Sequence, residues 1–196
     1  MGKRVKSRIN RVTTRSGDGG ETGLADGSRL SKAAPRVDAM GDVDETNAAI
    51  GLLRAALAAD DPLQALLSDI QHRLFDLGGA LSLPGTLGFE TAAVEALDAA
   101  LAEWNATLPP LTNFVLPAGD EATARAHVVR TVCRRAERTL TRLGEAEPEA
   151  VDAALRQYLN RASDLFFVLA RVLARRHGGE VTWQPRQAGS SQRTDP

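Results

Sequence analysis

Cysteine occurs once in this chain, at Cys133, so no intrachain disulfide can form and a reducing compartment is the expected setting. Aromatic side chains make up only 4% of the 196 residues, while alanine and leucine abound. That balance favours helices over a β-sandwich. No apolar run approaches the roughly 20 residues a membrane helix needs; the densest, Leu165 to Ala170, reads as core. An excess of one charge is missing too. The formal net charge is −1, which provides no bulk attraction to nucleic acid or to a membrane surface. At 43% hydrophobic and 25% charged residues, the chain suits one soluble domain with tails, long enough to bury a core.

Several chemical signatures are absent as well. There is no G-x-x-x-x-G-K-[ST] phosphate loop. Gly17, Gly19, Gly20 and Gly23 do not fit the dinucleotide fingerprint, and no strand is expected before them. A di-iron bundle needs two Glu-x-x-His motifs, whereas the chain holds a single carboxylate-x-x-His pair, Asp69 with His72. The first 17 residues carry six basic side chains (Lys3, Arg4, Lys6, Arg8, Arg11 and Arg15) and no acid. No apolar stretch follows, which argues against a secretory signal. Residues 1–12 read as a basic disordered tail, an organellar presequence being the alternative, and the cytoplasm is the working localisation.

What is present is helical pattern. After a Gly-, Ser-, Thr- and Asp-rich stretch from Thr13 to Pro35, read as an ordered or ligand-ordered loop, the pattern predicts a helix from about Val37 to Ala59. A second runs from about Leu63 to Leu81, with Leu63, Leu66, Leu67, Ile70, Leu74, Leu77 and Leu81 at three- and four-residue spacing. The third spans about Glu90 to Thr107, the fourth about Asp120 to Leu143 and the fifth about Glu149 to His177, where Gly178-Gly179 stops it. Five helices with short connections predict an all-α, up-and-down bundle. Residues 13–36 then form an N-terminal loop, 37–177 the bundle, and 178–196 a C-terminal segment with a disordered polar tail.

Four places can carry chemistry. Closely spaced glycines in T-T-R-S-G-D-G-G-E-T-G-L expose backbone N–H groups, and Thr13, Thr14, Ser16 and Thr22 add hydroxyls, which suits a phosphate as well as a plain flexible connection. Lys32 is the one lysine outside the basic tail in a chain of 21 arginines, a compact point charge where the rest of the chain uses guanidinium. Arg130, Arg134, Glu137 and Arg138 fall on one side of the fourth helix, either as a polyphosphate site or as a solvated, salt-bridged face. Asn160 and Asp164, at i and i+4 on the fifth helix, need partners that are structural or supplied by a ligand. Phe114, beside a proline turn, is a core lid or a cofactor contact.

In order along the chain, T-R-S-G-D-G-G-E-T-G-L with Ser31-Lys32, P-R-V-D-A-M-G-D-V-D-E-T-N-A-A-I-G, F-V-L-P-A-G, and R-T-V-C-R-R-A-E-R with Y-L-N-R-A-S-D-L resemble the PduO-type ATP:cob(I)alamin adenosyltransferases. The closing G-G-E-V-T-W-Q-P is similar to that family's usual ending. The resemblance implies a homotrimer with ATP sites between subunits, transferring the 5′-deoxyadenosyl group of ATP to Co(I) of cob(I)alamin. It implies that Thr13, Thr14, Arg15, Ser16, Gly17, Asp18, Gly20, Thr22 and Gly23, with Lys32, cover the triphosphate. Arg134, Glu137, Arg138 and Asn160 would hold triphosphate, ribose and adenine, with Mg²⁺ held mainly by the phosphates. Asp44 and Arg130 would pair across the subunit interface, and Phe114 would pack where the lower axial ligand of cobalt sits. A reductase supplying Co(I) and an acceptor enzyme for the product are the implied protein partners. Three positions depart from the family pattern: Gly19 for a usual Asp, Ala118 for a usual Gly and Ala162 for a usual Leu. A non-catalytic corrinoid or nucleotide sensor on the same fold is the alternative reading, and an unrelated helical scaffold a third.

Overall fold

The computed structural model describes residues 13, 15–85 and 88–185. The basic tail 1–12, Thr14, residues 86–87 and the polar tail 186–196 lie outside the described residues. Five helices dominate: α1 (Pro35–Ala55), α2 (Leu63–Ser82), α3 (Thr91–Ala106), α4 (Glu121–Ala146) and α5 (Ala153–Arg176). Their direction alternates along the chain, as the contacts between them show. Arg36 at the start of α1 pairs with Glu147 beyond the end of α4, and Leu52 O near the other end of α1 accepts from Arg125 Nη1 (2.7 Å), so α1 and α4 run antiparallel. Neighbours in space are not always neighbours in sequence. The helix α3 packs on α5, and the two run parallel, with Phe89 edge-on to Tyr158 (5.0 Å) at one end and Asp98 paired to Arg161 further along.

The leucine stripe of α2 lies in the core as predicted, with Leu63, Leu67, Ile70, Leu77 and Leu81 fully buried. Polar groups lock register where apolar packing alone would slide. Asn47 Nδ2 donates to Gln71 O and Gln71 Nε2 returns the bond to Asn47 O, both at 3.1 Å, which staples α1 to α2.

Helix ends differ from the sequence reading for local reasons. The first helix stops at Ala55, four residues early, because Gln64 reaches back and donates to Arg54 O (3.0 Å) and Ala58 O (3.1 Å), satisfying carbonyls that a further turn would use. It starts at Pro35, whose missing N–H costs nothing in the first turn. The fifth starts at Ala153, where the Asp152 carboxylate accepts from Ala154 N–H, while Pro148–Ala150 forms a separate 3-10 turn.

The largest departure is in the N-terminal segment, for which the sequence pattern predicts a loop. Glu21–Gly23 (β1) and Arg29–Ser31 (β2) form an antiparallel hairpin, with Thr22 opposite Leu30 and Gly23 opposite Arg29. Its turn explains it: Gly27 adopts φ +85°, its N–H bonds Leu24 O, and Asp26 Oδ1 accepts from both Ser28 N–H (2.8 Å) and Ser28 Oγ (2.6 Å). Three-residue strands are too short to show an alternating pattern.

Candidate functional site

The hairpin folds the N-terminal glycines against Lys32. Asp18 N–H bonds Arg15 O (3.3 Å), Gly20 N–H bonds Gly17 O (3.2 Å), and Lys32 N–H bonds Gly20 O (2.8 Å), so two tight turns lead straight into β1. Arg15 and Gly20 take the positive φ values, 59° and 85°, that such turns require. The Lys32 side chain then lies over Gly17: a Cβ built there would stand 3.1 Å from Lys32 Nζ and 3.3 Å from Glu21 O. Arg29 ties the same turn from the other side, donating to Ser16 O (2.7 Å) and to Glu21. Thr13, Asp18 and Lys32 are exposed, while Thr22 and Gly17 are half-buried. The segment is therefore a built turn with one ammonium over exposed backbone, suited to an anion. It docks on the end of α2, where Ala25 N–H donates to Ser82 Oγ (3.0 Å).

A second group is laid out by α4. Its interior face is apolar, with Ala126, Val129, Cys133, Ala136 and Leu140 fully buried. Helical spacing therefore turns Arg134 and Arg138 outward, both exposed, with Glu137 half-buried between them. Glu137 Oε1 accepts from Asn160 Nδ2 of α5 (2.9 Å), and Arg138 Nη1 donates to Arg134 O (2.9 Å). The carboxylate orients the carboxamide, and most guanidinium donors are left facing outward. Asp164 pairs instead with Arg161 (3.4 Å), away from Asn160.

One turn earlier on α4, the side chain of Arg130 enters an apolar cleft of about 520 Å³ shared with Phe114, Phe167 and Trp183. Its guanidinium carbon stands 6.0 Å from the centre of the Phe167 ring. Burial, with Arg134 nearby, pulls the guanidinium pKa down, and its buried Nε has no partner among the described residues. Phe114 is 78% exposed and so is no core lid. A short ladder holds it: Trp183 N–H donates to Phe114 O and Leu116 N–H to Val181 O, both 2.8 Å, and the two rings meet edge-on at 6.4 Å. His127, one turn before Arg130 and buried, has its ring centre 6.4 Å from that of Phe167, with no partner for Nδ1 among the described residues. Burial pushes its imidazole below the ordinary range, and Arg130 adds to the effect.

The chain thus brings Glu137 to Asn160, Arg134 to Arg138, Lys32 to Gly17, and Phe114 to Arg130. It does not bring Asp44 to Arg130, nor Lys32 to the α4 row. Asp44 is exposed on α1 and makes no ion pair among the described residues, where Asp42 and Glu45 both pair with Arg135. Trp183, Phe167 and His127 escaped the sequence reading. An aromatic standing alone in a polar terminus was the available signal for Trp183; Phe167 and His127 look like ordinary core.

Comparison with known proteins places the chain beside one family. The family model described as cobalamin adenosyltransferase matches residues 12–173. A cobalamin adenosyltransferase from Cupriavidus metallidurans is 54% identical over 179 residues, which is 91% of this chain and 96% of that relative. The corrinoid adenosyltransferase of Mycobacterium tuberculosis is 42% identical over 184 residues, 90% and 94% of the two chains. Among solved structures, a variant PduO-type ATP:corrinoid adenosyltransferase from Lactobacillus reuteri, complexed with cobalamin and ATP, matches with a TM-score of 0.83. It is 28% identical and covers 89% of this chain and 100% of its own.

Proposed function

The chain belongs to the cobalamin adenosyltransferase family, and we infer from that membership and from the site that it is an ATP:corrinoid adenosyltransferase, moving the 5′-deoxyadenosyl group of ATP to Co(I). The observation that carries the reading is the order of groups along α4. Arg130 sits in an apolar cleft walled by aromatic rings, and Arg134, Glu137 and Arg138 follow within about two turns on the outward face. A flat apolar substrate and a polyanion would meet there.

The chemistry asks little of the protein in proton transfer. Co(I) supplies the electron pair of the new Co–C5′ bond, and the C5′–O bond breaks with its pair passing to triphosphate. No proton leaves the reacting carbon, so no general base is needed. The chain's residues align the partners and neutralise the leaving group. Arg134, Arg138 and Lys32 serve the triphosphate, Glu137 and Asn160 the ribose and adenine, and the glycine turns supply backbone N–H groups. Among the described residues no group of three or more His, Cys, Asp or Glu converges to hold a metal ion; a Mg²⁺ accompanying ATP would be held by the phosphates.

The complete site is built between copies in a homotrimer. Three features support this reading: the Arg130 Nε, buried without a partner among the described residues, Asp44, in no ion pair among them, and the exposed Leu52 (59%) and Val128 (53%) on α1 and α4. Pairing Asp44 with Arg130 of a second copy would bring α1 of one subunit, close behind Lys32, to α4 of the other. A reductase and an acceptor enzyme for adenosylcobalamin complete the partners. No described helix is long and apolar enough to cross a membrane; the cytoplasm fits the lone cysteine.

Anaerobic incubation with ATP, Mg²⁺ and chemically reduced cobalamin tests the function. The visible spectrum should convert to that of adenosylcobalamin with stoichiometric triphosphate. Binding of both substrates without conversion would point to a sensor instead.

A further inference from the structure

Arg171 is the one arginine or lysine buried among the described residues, at 5% exposure. Its Nε donates to Glu180 Oε1 and its Nη2 to Pro109 O (2.7 Å), while Glu180 Oε2 also accepts from Arg175 Nη1 (3.1 Å). Both side chains of the Arg171–Glu180 pair are over nine-tenths buried. Burying such a pair carries a desolvation penalty that well-packed apolar residues avoid, so stability alone is a weak reason for it. What the contacts have in common is where they lead. Pro109 opens the connection that carries Phe114. Phe167 stands one turn before Arg171 on α5. Glu180 opens the segment that carries Trp183. One guanidinium thus joins all three stretches of chain that wall the Arg130 cleft. Beyond it, the C-terminal segment is held to the Phe114 loop by the two ladder bonds, with Val115 facing Thr182.

We propose that Arg171, through Glu180, is a positioning residue for the corrinoid: it anchors the C-terminal segment so that the Phe114–Trp183 wall is set before the substrate arrives. The proposal rests on the reading of this cleft as the corrinoid site. Arg171 is not itself a lining residue of the cleft, and its side-chain bonds run to Pro109 and Glu180 rather than to the α4 row, so ATP should not sense its loss.

The test is equilibrium binding of pre-formed cob(II)alamin, with ATP present, and of ATP alone. The proteins are the wild type, Arg171→Met, Glu180→Gln and their double variant. We expect about a tenfold or greater rise in the cob(II)alamin Kd, no greater in the double variant than in the worse single, with the ATP Kd within twofold of wild type. A rescue separates positioning from a general loss of fold. Val115 and Thr182 lie between the two ladder bonds, the non-hydrogen-bonded register in which side chains approach closest. Because Val115 also lines the cleft, the reference is the same cross-link in the otherwise wild-type chain: a Val115→Cys/Thr182→Cys disulfide in the Arg171→Met background should bring the Kd to that reference value. Unchanged cob(II)alamin binding in both single variants overturns the proposal. So does equal loss of both ligands that the cross-link does not repair. Phe114→Ala run alongside separates the two layers: if it weakens cob(II)alamin and Arg171→Met does not, only the anchor fails; if Phe114→Ala changes nothing, the reading of the cleft fails with it.

Discussion

Replacing Phe114 by alanine separates substrate binding from folding more cleanly than any other change in this chain. The ring is 78% exposed, so its removal should alter unfolding free energy by no more than about 0.5 kcal/mol. If the same ring packs under a corrin, most of that exposed area becomes buried. A Phe side chain offers on the order of 200 Å², of which roughly 150 Å² is free here, worth about 4 kcal/mol as an upper bound. Alanine keeps part of the contact, which leaves about 2–3 kcal/mol, or roughly 30- to 150-fold in kcat/KM for the corrinoid. The ATP KM should stay near wild type, because Arg134 and Lys32 are untouched. The loss should be larger from Co(II) with a mild reductant than from pre-formed Co(I), since an apolar ring in the axial position excludes water and favours the four-coordinate, more reducible form. The assay is steady-state kinetics from both oxidation states, with EPR of Co(II) bound beside ATP. A four-coordinate signal that persists unchanged in Phe114→Ala would refute this role.

Lys32→Ala and Arg134→Ala should each lower kcat/KM for ATP about ten- to a hundredfold, the worth of one charge-assisted contact. Gly17→Ala should partly mimic Lys32→Ala by displacing the ammonium, with little change in melting temperature; wild-type ATP kinetics in all three would remove the phosphate role. The protein should be trimeric by light scattering at micromolar concentration, and Asp44→Asn should weaken corrinoid turnover more than it weakens folding. A monomer would sink that arrangement. Finally, His127 has a folded-state pKa below the 6.5 of its unfolded form, so the unfolded chain binds more protons between the two values. Stability should therefore be full above pH 6.5 and fall as pH drops through the lowered folded value. His127→Gln should flatten that slope in urea midpoints measured against pH, and an identical slope in the variant would show that another group is responsible.

Helices were legible because burial repeats at helical period: Leu63 through Leu81 on α2, and Ala126 through Leu140 on α4, announce both the element and its inward face. Everything set by a single cross-chain contact was not. Nothing near Ala59 signals that Gln64 will cap α1 early, and the Asp26-Gly27 turn lacked flanking strands long enough to alternate. The α4 row could be placed on one side of a helix from spacing alone, but spacing left a solvated face equally open. The Asn160–Glu137 bond is what joins it to α5, and the Arg134 and Arg138 guanidiniums are left facing outward. Phe114 was visible as an aromatic by a proline turn. Its partnership with Trp183, some seventy positions away, runs through a two-bond backbone ladder and an edge-on ring contact, and no local pattern encodes a contact of that range.

The position of Cys133 sharpens what kind of catalyst this is. It sits in R-T-V-C-R-R, beside Arg134, where cationic neighbours would ordinarily favour a reactive thiolate. Helical phase sends it the other way: it is fully buried, and its Sγ bonds Leu159 O at 3.3 Å. Burial pushes the thiol pKa up, and Glu137 and Asp164 add to burial against the opposing pull of Arg134. The chain's one cysteine is therefore withdrawn into the core, while the charged residues that flank it face outward. That division suits a reaction whose nucleophile comes with the substrate. A protein thiolate near C5′ of ATP would compete with cobalt for the same carbon, whereas the guanidiniums and ammonium proposed for the site would act on the departing triphosphate alone. On the proposed reading of the site, the catalytic share of the protein lies in where α4 puts its charges and where the Phe114 wall would hold the corrin, so substitutions that shift those positions should matter more than any that remove a titrating group.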